Sequence, residues 1–112
     1  MSVKKLNNSA EFKKAASQLE IIIEAPKPCI VFFTAAWCGP CRMIAPIYDR
    51  KPKEYSNVRF YLLDVDEVPD SSKEIKAVPT FTYFKGGAPV TTFMGANPAK
   101  LDMLCKQAAE GA

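Results

Sequence analysis

The sequence predicts an α/β fold, a central mixed sheet of about five strands flanked by four helices, in one domain spanning residues 1–112. Three observations carry this. Apolar runs rich in strand-forming residues alternate along the chain with segments of helical periodicity. The strongest run, Cys29-Ile30-Val31-Phe32-Phe33, is apolar throughout, as expected of a central strand covered on both faces. The last two strand-like segments flank Gly86-Gly87, a hairpin signal, so the sheet turns antiparallel at one edge.

Each element follows in order. Val3–Leu6 is a weak first strand. Asn8 stands three before Glu11, a capping-box-like start, and Phe12, Ala15, Ala16, Leu19 and Ile23 give an amphipathic helix to about Glu24. Ala25-Pro26-Lys27-Pro28 ends it, because proline cannot continue a helix and holds its predecessor extended. After the Cys29–Phe33 strand, a second helix begins around Cys41, with Ile44, Ile47 and Tyr48 on one face. Pro46 should kink it, and Pro52 should end it or kink it again. Val58–Val65 is a third strand, and the Ser71/Glu74 pair predicts a short helix ending near Lys76. Thr80–Phe84 and Val90–Phe93 form the hairpin. Asn97-Pro98 starts a terminal helix with Leu101, Leu104, Cys105 and Ala108 along one face. The order β-α-β-α-β-α-β-β-α gives a sheet parallel in its first part.

Composition narrows the function. With 112 residues, 48% hydrophobic and 24% charged, the chain can bury one real core and does not read as disordered. Its longest apolar run is too short to span a bilayer, so no membrane association is expected. Met1-Ser2-Val3-Lys4-Lys5 leads into polar Asn7-Asn8-Ser9 rather than an apolar stretch; no secretory signal is visible, and a cytoplasmic location is expected. The net charge of +3 is scattered, without a basic block, which gives nucleic-acid binding no support. The absence of histidine excludes Ser-His-Asp and Cys-His hydrolases and mixed Cys/His zinc sites. Four cysteines contain only one close pair, so no metal site is expected either.

That pair, Cys38 and Cys41, sits where the buried strand hands over to a helix. Cys38 falls at the N-cap or in the first turn, where unpaired N–H groups and the positive end of the helix dipole stabilise a thiolate. A thiolate is the nucleophile that attacks a disulfide. Cys41, three residues on, is close enough to bond Cys38. Cys41, Ile44 and Tyr48 run i, i+3, i+7, so Cys41 should be shielded on the apolar face and Cys38 accessible. Cys38 is therefore assigned the attack, and Cys41 the resolution of the mixed disulfide. Gly39 and Pro40 permit and stiffen the turn between them.

Trp37-Cys38-Gly39-Pro40-Cys41 is identical to the active-site motif of the thioredoxin family. The resemblance covers nearly the whole chain: Val78-Pro79-Thr80 is similar to the segment carrying that family's cis-proline, and Phe84-Lys85-Gly86-Gly87 and Gly95-Ala96 fall where thioredoxins have similar residues. It implies a thioredoxin fold, a cis Pro79, and a docking surface of Trp37, Pro40, Val78, Gly95 and Ala96 around Cys38. The competing readings are core packing for Trp37 and an ordinary strand-start proline for Pro79. The implied activity is protein-disulfide reduction, with the dithiol regenerated by a separate NADPH-dependent thioredoxin reductase. Disulfide-containing proteins are the implied targets and a monomer the implied state. No bound cofactor is implied, since no Gly-rich dinucleotide fingerprint occurs. A second reading is an interaction module whose docking surface matters more than its redox cycle.

One position departs from the family pattern. Thioredoxins usually carry a buried Asp six residues before the first cysteine, with a proton-transfer role toward the second; here that position is Phe32. The lysine that often accompanies the Asp from the third strand is replaced by Leu62. Proton exchange at Cys41 is then left to water, the leaving thiolate or the substrate, with slower resolution near neutral pH expected. Cys29 and Cys105 read as small buried hydrophobes, with a regulatory or dimer-forming role for Cys105 only if its helix face is exposed.

Overall fold

A computed structural model describes residues 2–17 and 28–111. Along the chain stand β1 (Lys4–Leu6), α1 (Ser9–Ser17), β2 (Cys29–Thr34), α2 (Gly39–Glu54), β3 (Arg59–Asp64), a 3₁₀ turn (Pro69–Ser72), β4 (Thr80–Lys85), β5 (Ala88–Met94) and α3 (Pro98–Glu110). The strands form one five-stranded sheet in the order β1-β3-β2-β4-β5. β1, β3 and β2 run parallel, while β4 and β5 pair antiparallel. The hairpin closes on Gly86 and Gly87 at φ +62° and +85°, a left-handed pair that only glycine adopts readily.

Local signals set the element ends. Asn8 Oδ1 accepts the Glu11 N–H at 2.9 Å, while Glu11 Oε1 accepts the N–H of Asn7 at 2.7 Å, one residue before the expected partner. α1 is described as far as Ser17; the predicted contributions of Leu19 and Ile23, and the stop at Ala25-Pro26-Lys27, lie outside the described residues. Asn97 caps α3 by accepting the Lys100 N–H at 3.1 Å, with Pro98 in the first turn. β2 is buried through its apolar run, as a strand covered on both faces should be.

One expectation differs from the structure. Four helices were expected, but the described residues hold three α-helices, and the 3₁₀ turn stands where the Ser71/Glu74 pair predicts the fourth. Pro69 begins the turn two residues early, which puts Ser71 inside it rather than at a cap, and Val68 at the cap offers no side-chain oxygen. α2 contains both Pro46 and Pro52 and ends at Glu54. Each proline removes one donor, and the helix closes where the Tyr55 N–H reaches the Lys51 carbonyl at 2.9 Å.

The sheet divides the core in two. On one face Ile30, Phe32 and Phe81 meet Cys41, Ile44 and Tyr48 from α2 and Leu101, Leu104, Cys105 and Ala108 from α3. On the other, Val31, Phe33, Leu63 and Phe84 are covered in part by Phe12 from α1. The buried Tyr48 hydroxyl lies 2.7 Å from the Tyr61 carbonyl and 3.1 Å from that of Ile30, tying α2 to the backbone of β3 and β2. Burial holds its pKa well above the ordinary value.

The C-terminal end of α2 is joined to the first half of α3 by charge. Asp102 accepts from the Tyr55 hydroxyl at 2.6 Å and lies 3.3 Å from Lys51 Nζ, which also reaches Glu54 at 3.2 Å. The Tyr55 hydrogen bond and then Lys51 hold the Asp102 carboxyl below its usual range. A carboxyl whose folded pKa is depressed stabilises the fold fully above its unfolded pKa and loses that contribution as pH falls through the folded value. Asp102→Asn is expected to cost about 1 kcal/mol at neutral pH, since the pair is half-exposed and screened. Urea unfolding across a pH series checks this: the gap from wild type should close in strong acid, and a gap constant with pH contradicts the assignment.

Candidate active site

The parallel strands aim the site. β2 ends at Thr34, and residues 35–38 carry the chain over the sheet edge into α2. The Cys38 N–H donates to the Ala35 carbonyl at 3.1 Å, leaving Cys38 in extended conformation as the N-cap of α2. Its sulfur accepts the Cys41 N–H at 3.2 Å, and no acidic residue stands in the first turn to oppose the positive helix end. Pro40 occupies the first turn, where its missing N–H costs nothing. Cys38 and Cys41 are joined in a disulfide, their Cα atoms 5.3 Å apart. On reduction, the N–H donor and the helix end favour charge on Cys38.

Accessibility does not separate the two sulfurs as expected. In the disulfide Cys38 is only 3% exposed and Cys41 2%. The Cys38 sulfur is turned toward Cys41 and its N–H. What differs is the surroundings: Trp37, Gly39 and Pro40 flanking Cys38 are exposed, whereas Cys41 shares its helix face with buried Ile44 and Tyr48.

The other predicted residues arrive at the same sheet end by pairing. Thr80 lies opposite Phe33, so the segment before β4 runs beside the loop leaving β2. There the Val78–Pro79 bond is cis, and the Thr80 hydroxyl donates to the Ala77 carbonyl at 2.6 Å. The Gly95 N–H donates to the Pro79 carbonyl at 2.9 Å from a φ of +105°, a backbone that strains any residue with a Cβ. Val78 and Ala96 pack, half-buried, against the cluster that contains both cysteines. Trp37 is 67% exposed, which disposes of the core-packing reading. Its indole N–H donates to Asp66 Oδ2 at 2.8 Å. Sequence reasoning missed Asp66, 29 positions away; the available signal was the parallel pairing of the second and third strands, whose following loops must be neighbours.

Phe32 is fully buried, opposite Leu62 on β3 and Phe81 on β4. It stacks on Phe81 with ring centroids 4.7 Å apart and meets Tyr48 edge-on at 5.1 Å; Phe81 stacks in turn on Phe93 at 5.0 Å. Lys51 is the one buried charged side chain among the described residues, and it lies ten positions beyond Cys41 along α2. Aromatic packing therefore occupies the place of the carboxylate. Cys29 and Cys105 stand outside the disulfide and are buried, and burial pushes the Cys105 thiol up to about 12. The exposed helix face that a surface role for Cys105 requires is not there.

This geometry agrees with comparison to known proteins. Residues 3–107 match the family model described as Thioredoxin. Thioredoxin-2 of Saccharomyces cerevisiae is 42% identical over 93 residues, 81% of this chain and 89% of the relative. The solved structure of Plasmodium falciparum thioredoxin superposes with a TM-score of 0.84 at 38% identity, covering 94% of this chain and 98% of that one. Mitochondrial thioredoxin 3 of S. cerevisiae, in its oxidized form, gives 0.82 at 36% identity, covering 94% of each chain. A Cys-Gly-Pro-Cys disulfide at the head of a helix, on this sheet and with these relatives, places the chain in the thioredoxin family, as a thiol–disulfide oxidoreductase.

Proposed function

We propose that the chain is a dithiol electron carrier, with Cys38 as nucleophile and Cys41 as resolving thiol. The Cys38 thiolate attacks one sulfur of a substrate disulfide, forming a Cys38–substrate mixed disulfide and releasing the other sulfur as thiolate. Cys41 gives its proton to water or to the substrate thiolate already released and attacks the Cys38 sulfur, which breaks the Cys38–substrate bond, releases the second substrate thiolate and leaves the Cys38–Cys41 disulfide. Two electrons have passed to the substrate. A separate reductase, drawing on NADPH, returns the pair to the dithiol. The observation that carries these roles is the Cys41 N–H on Cys38 Sγ at 3.2 Å, at a helix end without acidic neighbours.

Trp37, Pro40, Val78, Gly95 and Ala96 form the docking surface, with Gly39, Pro79 and Thr80 holding its loops. Their convergence on one sheet end around the cysteines supports this reading. The working unit is one domain over residues 1–112, acting as a monomer. Among the described residues no helix is long and apolar enough to cross a membrane. A cytoplasmic location is our reading, and the mitochondrial relative marks the alternative compartment.

Cys41→Ser tests the order of attack. Incubated reduced with a model protein disulfide, the variant should accumulate a mixed disulfide at Cys38, detectable by mass and reversed by dithiothreitol. Accumulation in Cys38→Ser through Cys41, with none in Cys41→Ser, contradicts the assigned roles.

A further inference from the structure

We infer that Tyr48 is a positioning residue for protein substrates: its buried hydroxyl fixes how α2 sits on the sheet, and so the span between the two halves of the docking surface. The inference rests on the docking role proposed above. That surface is built from two layers. Gly39 and Pro40 belong to α2, whereas Val78 and Gly95 flank β4 and β5. A shift of the helix along the sheet therefore changes the distance that a bound segment must cross.

Apolar burial alone fixes such a spacing poorly, because it has no direction, whereas a hydrogen bond fixes both distance and angle. The buried residues of α2 are Cys41, Ile44, Tyr48, Lys51 and Pro52. Among the described residues, Tyr48 is the one of these whose side chain hydrogen-bonds to the sheet; Lys51 reaches Glu54 and Asp102 instead. The Tyr48 hydroxyl donates to the Tyr61 carbonyl of β3 at 2.7 Å, with the Ile30 carbonyl of β2 also within 3.1 Å. Its ring is walled by Phe32, Phe60 and Phe81, with centroids 5.1, 5.6 and 5.6 Å away. Ile30 lies opposite Tyr83 on β4, in the same strand pair that sets Phe33 opposite Thr80, the residue after Pro79. The helix is thus tied to the strands that place Val78. Tyr48 shares the inner helix face with Cys41, two turns away, and acts on the docking surface through the helix rather than by contact. A substrate spanning both layers gains from this order, whereas a disulfide too small to reach beyond the cysteines does not.

The test compares Tyr48→Phe, which keeps the ring and removes the hydroxyl, with Tyr55→Phe and wild type. Dithiothreitol is the donor, so that no reductase docking enters. The Tyr55 hydroxyl bonds to Asp102 at 2.6 Å, from the cap of α2 to α3, so its loss controls for a missing hydrogen bond as such. In Tyr48→Phe the KM for insulin should rise about fivefold, with kcat changed less than about twofold. Reduction of hydroxyethyl disulfide should stay at the wild-type rate, and Tyr55→Phe should match wild type on both substrates. An unchanged insulin KM in Tyr48→Phe, an equal loss on the small disulfide, or the same rise in Tyr55→Phe overturns the inference. A measurement on wild type stands apart from how well the variant folds. The Tyr48 hydroxyl proton should persist as a slowly exchanging NMR signal in the dithiol form, the form that meets substrate; its loss to solvent exchange there also overturns the inference. Wild type silent on both substrates would instead overturn the proposed function, and the inference with it.

Discussion

Cys38→Ser is expected to lower disulfide reduction by about a thousandfold or more, upwards of 4 kcal/mol of barrier. A serine hydroxyl in the same place meets the same helix end and the same Cys41 N–H, yet neither ionises it near neutral pH nor lets it exchange with a disulfide. Turnover of a protein disulfide with dithiothreitol as donor checks this. Cys105→Ala supplies the contrast and should keep turnover within a few-fold of wild type. Its thiol is buried and pushed up to about 12, so it is neither reachable nor ionised. Equal losses in the two variants would mean that the first reflects damage to the fold rather than to the nucleophile.

Phe32→Asp is expected to do two opposite things. The side chain it removes lies between Phe81 and Tyr48, so the fold should lose about 3–5 kcal/mol, the cost of emptying an aromatic core site. The new carboxyl, desolvated in that site, would have a raised pKa. Its contribution is therefore best retained in acid and lost as pH rises from the unfolded to the folded pKa, opposite in sign to Asp102. Above that folded pKa the carboxylate can accept the Cys41 proton, and resolution of the mixed disulfide should quicken near neutral pH. Urea unfolding gives the first effect and stopped-flow mixed-disulfide decay the second. Phe32→Asn separates cavity from charge. Resolution no faster at any pH in Phe32→Asp would show that Phe32 does not limit proton exchange.

How much of this was readable from sequence follows the range of the interaction involved. The Asn8 and Asn97-Pro98 caps and the Gly86-Gly87 turn act within four residues and formed where the letters place them, with only the returning Glu11 bond displaced by one residue to Asn7. The central strand was legible because burial on both faces leaves no polar position in Cys29–Phe33. The Ser71/Glu74 signal failed because an equally local one, Pro69, acted first. Pro46 and Pro52 lie inside a helix that buries Ile44, Tyr48 and Lys51. The Trp37–Asp66 contact depends on the register that sets Thr34 opposite Asp64, and nothing local to either residue contains it.

The central claim is that this dithiol passes electrons to protein disulfides. The direct measurement is reduction of insulin by wild-type protein with NADPH and a thioredoxin reductase, repeated with dithiothreitol as donor. The account predicts catalytic turnover, many substrate disulfides reduced per chain, with at least the chemical donor. Silence with both donors, by a protein whose Cys38–Cys41 pair still cycles between dithiol and disulfide, would contradict it and favour an interaction module.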